Sequence, residues 1–272
     1  TLSIHDDKLK AIDHNILIVN DDDQVVDIVD KSKLIEKITP SISVIGLGYV
    51  GLTLAVSLAE VGFKVTGVDS NEEIVEKLSQ GIPHIHEIGL ESLLKFHVGK
   101  NLKIQSTSSK SNSDVYILCV QTPIDDNNEP ILDYLNSATE YAANNLSKNN
   151  LVIIRSTVPI GTTRNNIIPI LEKSSGLNSD NDFYIASAPE RTLAGKALKE
   201  IRELPQIISG FNSTSSQLAN SLFNKLTHTI VNVDSLEEAE LIKLMDNTFR
   251  DMIFAYSNQI ALLADNYGID TS

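Results

Sequence analysis

SISVIGLGYVGLTLAVSLAEVGFKVTGVD, residues 41–69, is the stretch whose reading decides the fold. A short apolar run (Ile42, Val44, Ile45) has the composition of a buried parallel strand. It passes into Gly46-x-Gly48-x-x-Gly51 and then an apolar segment from Leu52 to Val61 of helical length. A second run, Phe63 to Val68, ends in Asp69. Each piece has a physical job. Gly46 permits the tight turn out of the strand, Gly48 lets backbone approach a pyrophosphate, and Gly51 lets the helix pack on the strand. The helix N-terminus offers unpaired N–H groups and a positive dipole end to phosphates. A glycine triplet alone also fits a turn without a ligand. Here a strand precedes it, a helix follows it, and an acid stands about 20 residues on, which is the context a dinucleotide fingerprint requires. Asp69, closing the second strand, is placed to accept hydrogen bonds from ribose hydroxyls and to repel a 2′-phosphate, so NAD is expected over NADP.

The composition bounds the rest. With 42% hydrophobic and 21% charged residues in 272, the chain reads as a soluble globular protein of one large domain or slightly more. A net charge of −14 argues against a general nucleic-acid or anionic-membrane surface, while local Lys and Arg can still bind an anionic substrate. Cys119 is the single cysteine, which excludes an intrachain disulfide and a cysteine-rich metal site and fits a reducing cytoplasm. The run from Val44 to Ala59 is too short and too rich in glycine for a membrane span. The start, TLSIHDDKLK, has neither a basic region nor an apolar core, so no signal peptide is expected.

Residues 1–40 form a separate extension. Ile16–Val19 and Val25–Val29 read as two strands joined by Asn20, Asp21, Asp22 and Asp23, followed by a short helix from Lys31 to Ile38. The pattern LIVNDDDQVVDIVDKSKLIEKI resembles the closing strand–strand–helix of a CBS module. Half a module lacks the nucleotide cleft, and a hairpin-and-helix packed beside the main domain fits as well, so no chemistry is assigned to it.

After Asp69 the pattern gives a helix (Glu72 to Leu78) and the segment GIPHIHEIGL, 81–90. His84 and His86 lie two apart; no further ligand cluster joins them, so surface or packing roles are expected and no metal. Further strands are expected at Asp114–Val120, Leu151–Ile154, Phe183–Ala186, Gln206–Ser209 and Thr229–Val233. Polar groups gather at their C-terminal ends: Gln121-Thr122-Pro123, Ser156-Thr157, and Pro189-Glu190-Arg191. In an open parallel sheet that edge is where ligands bind. Cys119 falls inside an apolar run and reads as a buried core thiol. The expected architecture is α/β: a Rossmann-like doubly wound parallel sheet spanning 41–233.

From Asp234 the character changes. Ser235-x-x-Glu238 is a capping box, and helical periodicity continues from Leu236 to Tyr267. Leu241, Leu244, Met245, Phe249, Met252, Tyr256, Ile260 and Leu263 form an apolar stripe. One Rossmann domain does not need so long a helix. Residues 234–272 therefore read as the start of a central helical linker or dimerisation domain, and a homodimer through helix 236–267 is expected.

Taken together, GxGxxG with Tyr49-Val50, HIHEIGL, QTP, STVPIGTT, PER and Lys243-x-x-x-Asn247-x-x-Arg250 resemble the UDP-glucose/GDP-mannose dehydrogenase family from Ser41 onward. PERTLAGKALKEIRELPQIISG looks most like the branch that acts on UDP-N-acetylhexosamines, where UDP-glucose enzymes usually carry a PEF-type motif. The resemblance implies oxidation of C6 of a nucleotide-sugar to a carboxylate, with two NAD. It implies NAD contacts at Gly46, Gly48, Tyr49, Val50, Gly51, Asp69, Thr122 and Thr157. Lys243, Asn247 and Glu190 would be catalytic, and Arg191, Thr192, Lys243, Asn247 and Arg250 would hold the substrate. Lys243 and Asn247, at i and i+4, share a helix face and can converge on one oxygen, where an ammonium stabilises a developing alkoxide. An i,i+4 pair of this kind is also common as solvated surface. Two departures stand out. The family's nucleophilic cysteine lies in a C-terminal domain that the sequence ending at Ser272 does not include, and Ala194 replaces a proline of the branch motif. A cofactor-binding module without turnover, regulatory in kind, is the alternative function.

Overall fold

The computed structural model describes Leu9–Ile12, Asn15–Val19, Val25–Asp30 and residues 39–271. The chain divides into two compact units, Thr1–Pro40 and Ser41–Ser272. In the first, β1 (Leu9–Ile12), β2 (Asn15–Val19) and β3 (Val25–Asp30) form an antiparallel sheet in that order. The two expected strands pair as a hairpin, with a register shift between Ile18 and Val19. β1 was not expected from the sequence, its LKAI being too short to show alternation. The expected turn over 20–23 and helix over 31–38 lie outside the described residues.

The second unit is built on β4 (Ser41–Ile45), α1 (Tyr49–Glu60), β5 (Lys64–Asp69), α2 (Glu72–Ser79), α3 (Leu90–His97) and β6 (Leu102–Ser106). Then come β7 (Val115–Leu118), α4 (Asp133–Asn145), β8 (Leu151–Ile154), a π turn (Thr163–Ile167) leading into α5 (Ile168–Ser175), and β9 (Tyr184–Ser187). It closes with α6 (Ala197–Glu203), β10 (Gln206–Gly210), α7 (Ser213–Phe223), β11 (Ile230–Asn232) and α8 (Leu236–Asn266). The eight strands order as β11-β10-β9-β8-β7-β4-β5-β6. All neighbours run parallel except β9 and β10, which pair Ser187 with Ser209 in antiparallel register. Six of these strands, β6-β5-β4-β7-β8-β9, reproduce the doubly wound order, and chain direction across the sheet reverses between β4 and β7.

Side-chain alternation explains why both faces of this sheet are covered. Ile42 and Val44, Val115 and Ile117, and Leu151 and Ile153 point into one core with α1 and α3. Ile45, Tyr116, Leu118, Val152 and Ile154 point into a second core with α4 and α5. α1 is buried at every residue from Gly51 to Ala59, which is why its sequence is apolar all round. Each buried Leu, Ile or Val contributes about 1.5–3 kcal/mol relative to exposure. α8 behaves differently along its length. Leu236, Ala239, Glu240 and Lys243 are buried, whereas Met245, Phe249, Met252, Phe254 and Tyr256 are at least 60% exposed.

Candidate functional site

The glycine turn is shaped as its spacing requires. Gly46 sits at φ +90°, a left-handed conformation that side chains rarely adopt. At Gly51 a Cβ would lie 1.8 Å from the Gly46 carbonyl oxygen, so the helix can approach the turn only with glycine there. Gly51 is accordingly buried in the packing, while Gly46, Gly48, Tyr49 and Val50 line a cleft of about 870 Å³ at the C-terminal edge of the sheet. The N-terminus of α1 has no side-chain cap and no acidic residue in its first turn. Its first N–H groups therefore remain available to an anion, and nothing stands within 4 Å of the space beyond Gly48. Asp69 closes the other side of the turn. One oxygen accepts from the Leu47 N–H at 2.7 Å and the other from the Asn71 N–H at 2.9 Å, which fixes the carboxylate at the cleft with lone pairs to spare. An uncapped helix start, an open Gly48 and a fixed carboxylate at the second strand end are together what a dinucleotide's pyrophosphate and ribose need; the residues fit NAD.

Across the switch point, Thr122 and Thr157 line the same cleft, and the Thr122 hydroxyl donates to the Thr157 carbonyl. Cys119, expected wholly inside the core, is 7% exposed and also lines the cleft. Burial pushes its thiol up to about 12.

Glu190 closes the far end, 7% exposed. One carboxylate oxygen accepts from the N–H groups of Arg191 (2.6 Å) and Thr192 (2.8 Å), and the other pairs with the Arg155 guanidinium. Burial opposes its ionisation, but the Arg155 charge and these N–H bonds outweigh burial and hold the carboxyl below the usual range. Arg155 was passed over in the sequence, where a charge after the apolar run LVII reads as a strand end. It is 1% exposed, donates to the Ala188 carbonyl (3.0 Å) and the Gln206 side chain (2.8 Å), and lies over the Phe223 ring. Its Nε has no hydrogen-bond partner among the described residues.

α8 brings the remaining groups. Ser235 caps it, accepting from the Glu238 N–H at 3.2 Å, although the Glu238 side chain reaches the Asp234 N–H rather than that of Ser235. One turn on, the buried Glu240 carboxylate accepts from the N–H groups of Gly161 (2.5 Å) and Thr163 (2.9 Å), tying α8 to the loop that begins at Ser156. Lys243 follows at 9% exposure, and its ammonium donates no hydrogen bond among the described residues. Burial pushes its pKa down; the Glu190 carboxylate is the strongest charge pulling it back up, with Arg250 and Arg191 acting against and Asp246 for it. Asn247 accepts from Arg250 at 2.8 Å. Arg191, expected to hold the substrate, pairs with Asp246 on α8 at 2.6 Å. The loop after Thr192 is pinned elsewhere: the Gly195 N–H donates to the Tyr49 hydroxyl (2.6 Å) and to buried Glu87 (2.9 Å), which are hydrogen-bonded to each other. So Tyr49 already has protein partners. The second histidine pair member, His86, and His84 gather no cluster; among the described residues no group of three or more His, Cys, Asp or Glu stands together to hold a metal ion.

Comparison with known proteins gives the same picture. Residues 40–227 match the UDP-glucose/GDP-mannose dehydrogenase family, NAD binding domain, and residues 237–272 match that family's central domain. UDP-N-acetyl-D-mannosamine dehydrogenase of Pyrococcus horikoshii is 38% identical over 231 residues, covering 84% of this chain and 55% of the relative; its solved structure superposes with a TM-score of 0.79. An NDP-N-acetyl-D-galactosaminuronic acid dehydrogenase of Ralstonia solanacearum is 32% identical, covering 85% and 56%. A ternary complex of GDP-mannose dehydrogenase from Pseudomonas aeruginosa is 29% identical, with 84% and 54% covered and a TM-score of 0.79. The chain thus spans about half the length of the relatives it matches.

Proposed function

Because the chain belongs to the UDP-glucose/GDP-mannose dehydrogenase family, with NAD as its cofactor, we propose that it carries the cofactor site of a nucleotide-sugar 6-dehydrogenase. The substrate proposed is a UDP-N-acetylhexosamine, oxidised at C6 to the uronate. In this proposal residues 41–233 form the NAD-binding domain, 234–272 begin the central domain and 1–40 are an extension. The observation that carries the reading is Lys243 on α8, a buried residue whose ammonium donates no hydrogen bond among the described residues, with Glu190 from the end of the cleft as its strongest opposite charge.

NAD, when bound, supplies the hydride acceptor. The protein's part is to hold and charge the alcohol. Lys243 and Asn247 face one side of α8 and donate to the reacting C6 oxygen, where the ammonium stabilises negative charge as the O–H proton passes to water. A lysine whose pKa burial has lowered gives and regains a proton more readily than a solvated one. Thr122 and Thr157 border the cofactor, Glu190 stands with its charge at the reacting end, and Arg191, Thr192 and Arg250 hold the polar groups of the nucleotide-sugar. Arg191 does so only by sharing or releasing Asp246. The exposed apolar side chains of α8 are proposed to pack against a second copy, giving a homodimer. No described helix is long and apolar enough to cross a membrane; a cytoplasmic enzyme supplying uronates to polysaccharide biosynthesis completes the reading.

The test is competitive calorimetry, in the presence of NAD, with UDP-ManNAc, UDP-GlcNAc and UDP-glucose. The acetamido sugars are expected to bind more tightly, and Lys243→Ala to abolish hydride transfer while leaving NAD binding intact. Preference for UDP-glucose would defeat the substrate branch, and NAD binding without any sugar binding would favour a module without turnover.

A further inference from the structure

Arg155 sits where an apolar strand reaches the reacting end of the cleft, and nothing in its local sequence requires a charge there. Its guanidinium is 1% exposed, so its desolvation has to be matched by partners. Three acceptors meet it: the Ala188 carbonyl, the Gln206 side chain and the Glu190 carboxylate. Gln206 is itself anchored by donating to the carbonyls of Ile207 (2.9 Å) and Pro189 (3.3 Å). Ala188, Pro189 and Glu190 are thus held as one piece around the guanidinium. Glu190 in turn spends one oxygen on Arg155 and the other on two backbone N–H groups. An arginine does not deprotonate in a protein, so a carboxylate bound this way has no reason to take up a proton near neutrality.

Resting on the dehydrogenase reading above, we propose that Arg155 is a positioning residue that clamps Glu190 as a fixed anion at the reacting end of the cleft, so that Glu190 serves the site by its charge rather than as a proton acceptor. The groups around the pair are few. Cys119 comes from the end of β7, Arg155 from β8 and Arg191 from Glu190's own loop, while Lys243, Asp246 and Arg250 come from α8. Arg191 and Asp246 pair with each other, and the Cys119 thiol stays protonated, which leaves Arg155 as the guanidinium that holds Glu190 in its charged form.

Two measurements on the chain test this. In side-chain carboxyl NMR, assigned with Glu190→Gln, Glu190 is expected to titrate below the ordinary glutamate range. A Glu190 carboxyl that titrates near neutrality in the unaltered chain overturns the proposal. In the same titration Arg155→Met is expected to raise the Glu190 midpoint by about one pH unit or more. Arg155→Lys, which keeps the charge, is expected to restore it. Arg155→Met leaving the Glu190 midpoint unmoved overturns the proposal. Should Arg155→Met fail to fold, the titrations of the unaltered chain and of Arg155→Lys decide the matter. NAD titration alongside separates the two claims: loss of NAD binding defeats the dehydrogenase reading, whereas these shifts bear only on the clamp.

Discussion

The two ends of the cleft are made of different material. At the glycine end the shape is backbone: a left-handed Gly46, a helix start without a cap and a carboxylate fixed by two N–H groups. At the Glu190 end the shape is ionic: Arg155 with Glu190 and Arg191 with Asp246, supplied by strands, a loop and α8. Backbone geometry depends on which residue lacks a side chain and is nearly indifferent to pH. An ionic cluster depends on every member keeping its charge, and each member is useless alone.

The largest effects are expected where either end loses its organising atom. Arg155→Met leaves Glu190 buried and unpaired, and should cost about 3–5 kcal/mol in urea denaturation. Replacing both partners by apolar residues of similar size should recover much of that, and failure to recover would mean Arg155 is needed for more than its pair. Gly51→Ala sets a methyl group against a backbone oxygen with no flexible neighbour to yield, and should cost about 3 kcal/mol together with NAD affinity. Unchanged melting and binding in this variant would break the claim that backbone closeness makes the cofactor end.

A smaller effect separates the ends by pH. The Glu190 pKa is lowered on folding, so its contribution is fully present above the ordinary glutamate value near 4.3 and is lost as pH falls through the lower folded value. Glu190→Gln should therefore flatten the acid side of a stability–pH curve, while Gly51→Ala shifts the whole curve without changing its slope. Asp69→Ala should weaken NAD binding about tenfold or more by calorimetry and narrow the preference over NADP. Equal NADP binding by the unaltered chain would sink that assignment. The smallest effect is expected at Arg164 and Glu237, a half-exposed pair, where Glu237→Gln should cost under about 1 kcal/mol.

The same contrast explains what could be read from the sequence. The glycine turn, Asp69 and the long helix are local patterns, since spacing and periodicity carry them whatever the rest of the chain does. β8 was legible to the residue because LVII is an unbroken apolar run. β6, LKIQS, was not, because its one exposed Lys and its buried Gln and Ser disguise an edge strand. α7 escaped for a related reason: Ser213 to Ser216 read as loop until Asn212 is seen to cap them. The antiparallel turn of β10 against β9 has no local signature at all. Nor had Arg155, Glu87 or Glu240, whose partners lie 35, 38 and 79 positions away. Arg191 shows the limit most plainly, since its partner is 55 residues on.

Glu240 holds the base of α8 while most of that helix projects from it. From Glu240 to Asn266 the helix extends about 39 Å at 1.5 Å per residue. It is in effect a lever pivoted beside the cofactor loop, steadied as far as Asp246 by Arg191 and exposed along its outer arm from Asp251 to Leu263. A tilt of about 5° at the pivot carries the far end through roughly 3 Å, close to one hydrogen-bond length. Whatever grips that arm will feel, magnified, the seating of two backbone N–H groups on a single carboxylate.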